Sequence, residues 1–165
     1  MNDDIQIRTY KQDDFEGLLE VFNTFVKDSF AAYCKVGYDV GVFRNHVENA
    51  KIIFVLTELE RIIGFGYLSA LKPYSNFNQT GVLTYFILAE YTGKGLGTRI
   101  INELISFGKK EGITNYLAQI SSKNKQSINF HKKHGFVEVG NFKEVGIKFN
   151  QKFDIIWMQK IFGAE

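Results

Sequence analysis

Nine residues constrain this chain more than any others: Tyr91-Thr92-Gly93-Lys94-Gly95-Leu96-Gly97-Thr98-Arg99. They follow an apolar, strand-like run from Gly81 to Ala89. They precede Ile100, Ile101, Leu104, Ile105 and Phe107, which recur at helical spacing up to Lys109-Lys110 before Gly112 stops the pattern. Glycines between a strand and a helix let backbone come close to a phosphate, and the unpaired N–H groups and dipole of the helix start favour its charge. A Walker loop is excluded, because Lys94 is followed by Gly95 rather than Ser or Thr and position 88 is leucine. A dinucleotide fingerprint is excluded too: position 98 is threonine, and the next strand ends Gln119-Ile120-Ser121 without an acid. Two readings stay open. One is the pyrophosphate loop of an acyl-coenzyme A transferase, which needs this Gly95-x-Gly97 spacing; the other is a glycine turn that merely caps a helix.

The flanking sequence alternates between the two periods of regular structure. Ile5 to Thr9 reads as a strand. Asp13 and Glu16 form a capping box ahead of a helix carrying Leu18, Leu19, Phe22, Phe25 and Val26, and a weaker helix spans Val40 to Asn49. Lys51–Thr57, Ile62–Leu71 and Gly81–Ala89 predict an antiparallel meander. Beyond the glycine loop come a strand at Tyr116–Ile120, a helix from Asn124 to His134 ended by Gly135, and strands at Phe136–Glu144 and Phe153–Ile161. This order predicts an α/β (α+β) fold, a mixed sheet covered by helices on both faces.

Composition narrows the function classes. The chain has 165 residues, enough for one domain, with no repeat or linker, so a single domain over 1–165 is expected. Twenty Lys and Arg against 18 Asp and Glu leave a net charge of +2, unlike the one-signed basic face of a nucleic-acid binder. The opening Met1-Asn2-Asp3-Asp4 lacks the apolar run of a secretory signal, and no stretch reaches the ~20 apolar residues that span a bilayer. One cysteine, Cys34, excludes an internal disulfide framework and a cysteine-rich metal site. A cytoplasmic protein with neither nucleic acid, membrane nor metal as partner is expected.

The helix Asn124–His134 has an unusual face: Asn124, Ser127, Ile128, His131 and His134 share one side. His134 suits a helix end, Asn124 is either an N-cap or a ligand contact, and His131 is either a hydrogen-bonded structural histidine or a catalytic one. Here the residues resemble a family. Thr92 to Gly97, then Asn124-Lys125-Gln126-Ser127-Ile128-Asn129-Phe130-His131-Lys132-Lys133-His134-Gly135-Phe136, are similar to the GNAT superfamily of N-acetyltransferases. The likeness is to its phosphinothricin and methionine sulfoximine acetyltransferase-like branch, in which His stands at position 131 where most of the superfamily has Tyr. The tail from Val139 to Phe149, with Asp154 and Trp157-Met158-Gln159, follows the same branch.

The resemblance implies a mainly antiparallel sheet of six to seven strands with about four helices, and acetyl-CoA lying where the strand before the loop splays from its neighbour. Cofactor-binding positions would be Tyr85, Phe86 and Ile87 through backbone, Thr92, Gly93, Lys94, Gly95, Leu96 and Gly97 at the pyrophosphate, and Asn124 and His131 beside the pantetheine arm. Arg99 is a further candidate for a phosphate. The implied reaction is attack of a neutral amine on the thioester, with His131 as the acid–base group because imidazole titrates near neutral pH. A homodimer is implied as well.

The chain departs from the branch in three places. A Glu expected two positions before a Ser is Val82, ahead of Thr84; an Arg-x-Arg pair reads Lys72-Pro73-Tyr74; and a Gln or Arg is Thr92. Lys72 and Tyr74 are the corresponding substrate-binding positions. Losing a bidentate Arg and a carboxylate argues against the branch's amino-acid-like acceptors. Tyr67, Tyr74, Phe77 and Tyr85 fit a more apolar acceptor pocket or plain core. The leading expectation is acetylation of a small primary amine; the alternatives are a protein or peptide N-acetyltransferase and a non-catalytic acetyl-CoA-binding domain.

Overall fold

The computed structural model describes residues 4–34 and 40–163, which leaves the opening Met1 to Asp3 outside the described residues. Its elements run β1 (Ile5–Thr9), α1 (Phe15–Asp28), α2 (Val40–Glu48), β2 (Ala50–Glu58), β3 (Arg61–Ala70), β4 (Thr80–Ile87), α3 (Leu96–Lys110), β5 (Asn115–Ser121), α4 (Lys125–Lys133), β6 (Val137–Lys148) and β7 (Gln151–Ile161). The strands form a seven-stranded sheet in the order β1-β2-β3-β4-β5-β7-β6. Every neighbouring pair is antiparallel except β4 with β5. The expected architecture is therefore the observed one, at the upper strand number.

Alternation along β4 sends its side chains to two different layers. Phe86 meets Phe22 and Phe25 of α1, with ring centroids 5.1 Å apart in each pair, whereas Leu83 joins Ile101 and Leu104 of α3. The sheet is thus clothed on both faces, and anything standing between β4 and β5 lies between the two layers. Among the described residues no helix is long and apolar enough to cross a membrane.

Two boundaries differ from expectation for identifiable reasons. The first helix starts at Phe15, because Gln12–Asp14 is a 3-10 turn, and the acid that secures it is Asp14 rather than Asp13. Asp14 accepts two hydrogen bonds from the Arg8 guanidinium, at 2.7 and 2.8 Å, and one from the Lys11 N–H at 2.7 Å. The Arg8 hydrogen bonds are the main reason its carboxyl stays below the usual carboxylate range. The last hairpin is longer than expected: β6 runs on to Lys148 and turns at Phe149-Asn150, both with positive φ (51° and 55°). The charged pair Lys143-Glu144 is expected as the regular end of the strand from Phe136. In the structure it is a bulge, with Asp154 accepting from the Glu144 N–H at 2.9 Å and from Lys143 Nζ at 3.2 Å.

Candidate active site

The site originates in a strand pairing that stops early. β4 and β5 pair only over Thr80–Val82 and Asn115–Leu117; beyond this β5 stays with β7 and β4 stays with β3, so the two diverge. The Leu88 N–H donates to the Ile63 carbonyl of β3 at 2.9 Å. Alternation back along the unbroken β3–β4 register then directs the backbone of Phe86 and Thr84 to β3, and that of Leu83, Tyr85 and Ile87 into the gap. Of the three strand positions expected to offer backbone to a ligand, Tyr85 and Ile87 face the gap, while the backbone groups of Phe86 are taken by β3.

Three cavities with shared lining residues surround this gap. A cleft of about 360 Å³ runs from Phe25, Tyr85 and Ile87 past Gly93, Gly95 and Gly97 to Phe130 and Lys133. A small cavity of about 70 Å³ fills the gap itself, between Leu83–Phe86, Ala118–Ser121, Tyr33 and His131. A third, of about 530 Å³, opens under α1 and α2 and has five aromatic rings in its wall: Phe22, Tyr33, Phe43, Tyr67 and Phe86. Ala31 and Phe86 border all three.

At the far end of the cleft the glycine loop behaves as its sequence requires. Gly93 and Gly95 have φ of 76° and 79°, which side chains rarely adopt, and Gly95 is the N-cap of α3. A Cβ at Gly97 would stand 3.0 Å from the Phe130 ring, so glycine there lets α3 and α4 approach. The first turn of α3 presents backbone N–H groups without helical partners to the cleft. Lys133 is the one charged side chain in the described lining, and no carboxylate is among it. The other cations turn elsewhere. Lys94 lies over the Tyr91 ring at 4.8 Å, outside the described lining, and Arg99 donates to the Ile5 carbonyl at 3.3 Å, tying α3 to β1. Thr92 lines the cleft, but its hydroxyl donates to the Ala89 carbonyl at 2.8 Å.

Helix α4 supplies the opposite wall. Asn124 caps it, with Oδ1 accepting from the Ser127 N–H at 3.1 Å, and also borders the cleft and the gap. His131 is 2% exposed. Its Nδ1 lies 2.8 Å from the Ser127 carbonyl, which can only accept, so Nδ1 carries the hydrogen and Nε2 is left with a lone pair. Tyr85 Oη stands over the face of this ring, 3.2 Å from Nε2 and 3.4 Å from Nδ1, with the two rings stacked at 27°. Burial pushes the His131 pKa down to about 4, opposed only in part by the Ser127 hydrogen bond, so the ring is neutral at physiological pH. Burial raises the Tyr85 phenol. His134 takes the helix-end role expected of it: Nδ1 donates to the Phe130 carbonyl at 2.8 Å and Nε2 accepts from Thr98 Oγ at 3.0 Å.

On the third cavity the structure divides the expected residues. Val82, the position of the missing carboxylate, lines it beside Ser69 and Thr84, and no acid, Lys or Arg is among its described lining. Lys72 and Tyr74 lie in the exposed loop after β3 and line none of the three cavities.

Two functional features carried no readable signal of their own. Tyr33 ties the segment after α1 to β5 by donating to the Gln119 carbonyl at 3.0 Å, a pairing across 86 positions. Lys148, 1% exposed, reaches from β6 to the end of α1 and donates to the carbonyls of Ser29 and Ala32, each at 2.6 Å, and of Phe25 at 3.4 Å. It fixes the segment carrying Ala31 and Tyr33. Its only trace in the sequence is a lysine between Ile147 and Phe149 in an otherwise alternating strand.

A model of the acetyltransferase (GNAT) domain matches residues 7–157. The chain belongs to this family and is an acetyltransferase. It is 26% identical over 151 residues to the L-methionine sulfoximine/L-methionine sulfone acetyltransferase of Pseudomonas aeruginosa, covering 88% of each chain. It is also similar to the ribosomal-protein-alanine N-acetyltransferase of Brucella melitensis, with TM-score 0.86, 26% identity and coverage of 95% and 99%. The phosphinothricin acetyltransferase of Sinorhizobium meliloti, solved in complex with acetyl-CoA, has the same fold at TM-score 0.88 and 21% identity, with coverage of 97% and 89%.

Proposed function

We propose that this chain moves an acetyl group from acetyl-CoA to the primary amine of a small molecule, by direct attack of the amine on the thioester. The observation that carries the reading is that three cavities share Ala31 and Phe86 in their walls. A donor entering from the α3 side and an amine entering from the α1 side approach one another across Ala31 and Phe86, beside the gap that Tyr85 and His131 line. The pyrophosphate rests on the backbone amides of Gly93 to Thr98 at the start of α3, with Lys133 alongside. The pantetheine arm pairs with the unpaired edge of β4 at Tyr85 and Ile87 and passes the Asn124 cap. The Ile87 N–H, facing the gap, is the donor for the tetrahedral oxyanion. His131 receives a proton, for which its neutral ring and free Nε2 lone pair suit it.

The Pseudomonas aeruginosa relative is named for amino-acid-like acceptors. In this chain Val82 faces the aromatic cavity, so the reading takes acetyl transfer from the family and assigns the acceptor only as a small primary amine. Two copies form the working unit, a point argued below. The test is release of free thiol from acetyl-CoA with a panel: methionine sulfoximine, phosphinothricin, plain amino acids, aryl-alkyl amines, polyamines and short peptides. Turnover concentrated on one small-amine class is expected. Turnover confined to peptides would make the chain a peptide acetyltransferase, and tight acetyl-CoA binding with no turnover on any amine would make it a non-catalytic binding domain.

A further inference from the structure

We infer that the acceptor is an aryl-alkyl amine without a carboxylate, its ring held in the aromatic cavity under α1 and α2. The inference rests on the reading above and deepens it by naming the acceptor class. The cavity holds about 530 Å³, within the ~300–1,000 Å³ of small-molecule sites. Its wall contains rings that pack on one another: Phe22 lies 5.2 Å from Phe43 and 5.1 Å from Phe86, edge-on to the latter, and all three are buried. Tyr67 adds a fourth ring from β3. The fifth, Tyr33, has its hydroxyl on the Gln119 carbonyl and its ring stacked on Phe153 at 5.8 Å. Rings fixed in this way lose little freedom when a ligand binds.

Charge decides which amines the cavity excludes. No Asp, Glu, Lys or Arg is among its described lining. An α-amino acid carries its carboxylate one carbon from the amine, so both groups must enter together at the reacting end. That end is the wall which the cavity shares with the gap: Ala31, Tyr33, Thr84, Phe86 and Gln119. A carboxylate there meets no cation among them, and a buried unpaired charge is strongly disfavoured. His46 also lines the cavity, but it is exposed on α2 beside Asn45 and Asn49, where water screens its hold on an anion.

A polyamine meets the opposite difficulty, because its second ammonium needs an acid. At Val82, where the branch carries a Glu, the wall is apolar instead. Burial with no acid in the described lining also lowers the pKa of a bound amine, which favours the neutral form that attacks the thioester. Between the amines that remain, an aryl ring gains edge-to-face contacts with Phe22, Phe43 and Tyr67 that an alkyl chain lacks.

The test compares kcat/KM for phenethylamine with that for phenylalanine, which differs from it only by the carboxylate, and with those for hexylamine, spermidine and methionine sulfoximine. Phenethylamine is expected to exceed phenylalanine by about a hundredfold or more and hexylamine by about tenfold. Tyr67 lines the aromatic cavity and not the donor cleft. Tyr67→Leu is therefore expected to raise KM for phenethylamine about fivefold and to leave KM for acetyl-CoA unchanged. Phenylalanine, methionine sulfoximine, hexylamine or spermidine turned over as well as phenethylamine, or better, would overturn the inference and leave the acetyltransferase reading standing. A wild type inactive with every amine would overturn both.

Discussion

His131 has the clearest consequence at the scale of single residues. A histidine whose pKa is about 4 in the folded chain and near 6.5 when unfolded binds fewer protons folded than unfolded between those values. Stability is therefore fully present above pH 6.5 and is lost as pH falls toward 4. The contribution at stake is roughly 3 kcal/mol, since one pKa unit corresponds to about 1.4 kcal/mol. Urea midpoints are expected to decline from pH 7 to pH 4.5 in the wild type and to decline less in His131→Gln. Equal slopes in the two would show that burial does not hold the ring neutral. The same depressed pKa means that deprotonation of His131 sets no acid limb on activity between pH 5.5 and 8. A limb in that range belongs to the amine, which must shed its own proton before attack.

At the scale of elements, Lys148 joins β6 to the end of α1, where its three-donor ammonium meets the Ser29 and Ala32 carbonyls beyond the helix end and the Phe25 carbonyl, which also accepts from the Ser29 N–H. Lys148→Met keeps the length of the side chain and removes the donors. A loss of about 3 kcal/mol is expected, because buried carbonyls left unsatisfied cost about 1–3 kcal/mol each. An unchanged urea midpoint would show that water replaces the ammonium without loss. This contact also marks the limit of what the sequence discloses. The glycine loop and the face of α4 were legible because their chemistry is local: φ of 76° and 79° at Gly93 and Gly95, a cap at Asn124, a histidine one turn beyond Ser127. The ends of β6 were not, since a charged bulge at Lys143-Glu144 and a glycine-free turn at Phe149-Asn150 carry no common turn signature. The cavity walls were hidden for a different reason. Tyr33 with Gln119 and Lys148 with Ser29 pair across 86 and 119 positions, and only the closed sheet brings them together. Tyr85 was placed correctly on its strand, but its partnership with His131 spans 46 positions and was equally out of reach.

At the scale of the whole molecule, the sheet ends on β6, an edge strand bearing a row of exposed apolar side chains: Val137, Val139, Phe142, Val145 and Ile147, each more than 50% exposed. Edge strands of this kind are normally blunted by charge or covered. A second copy covering β6 is expected, giving a solution mass near twice 18.9 kDa by light scattering. Phe142→Glu should move the mass toward one copy, and a wild type that is monomeric at every concentration would contradict the expectation. The account's central claim is that the acyl donor lies along the unpaired edge of β4 with its pyrophosphate on the start of α3. Amide hydrogen exchange with and without acetyl-CoA tests it most directly, because N–H groups that face an open gap exchange freely until something pairs with them. Acetyl-CoA is predicted to slow exchange at Tyr85, Ile87 and Gly93 to Thr98 while leaving Phe86, already bonded to β3, unchanged. Protection that falls elsewhere, or none at saturating acetyl-CoA, would contradict the claim.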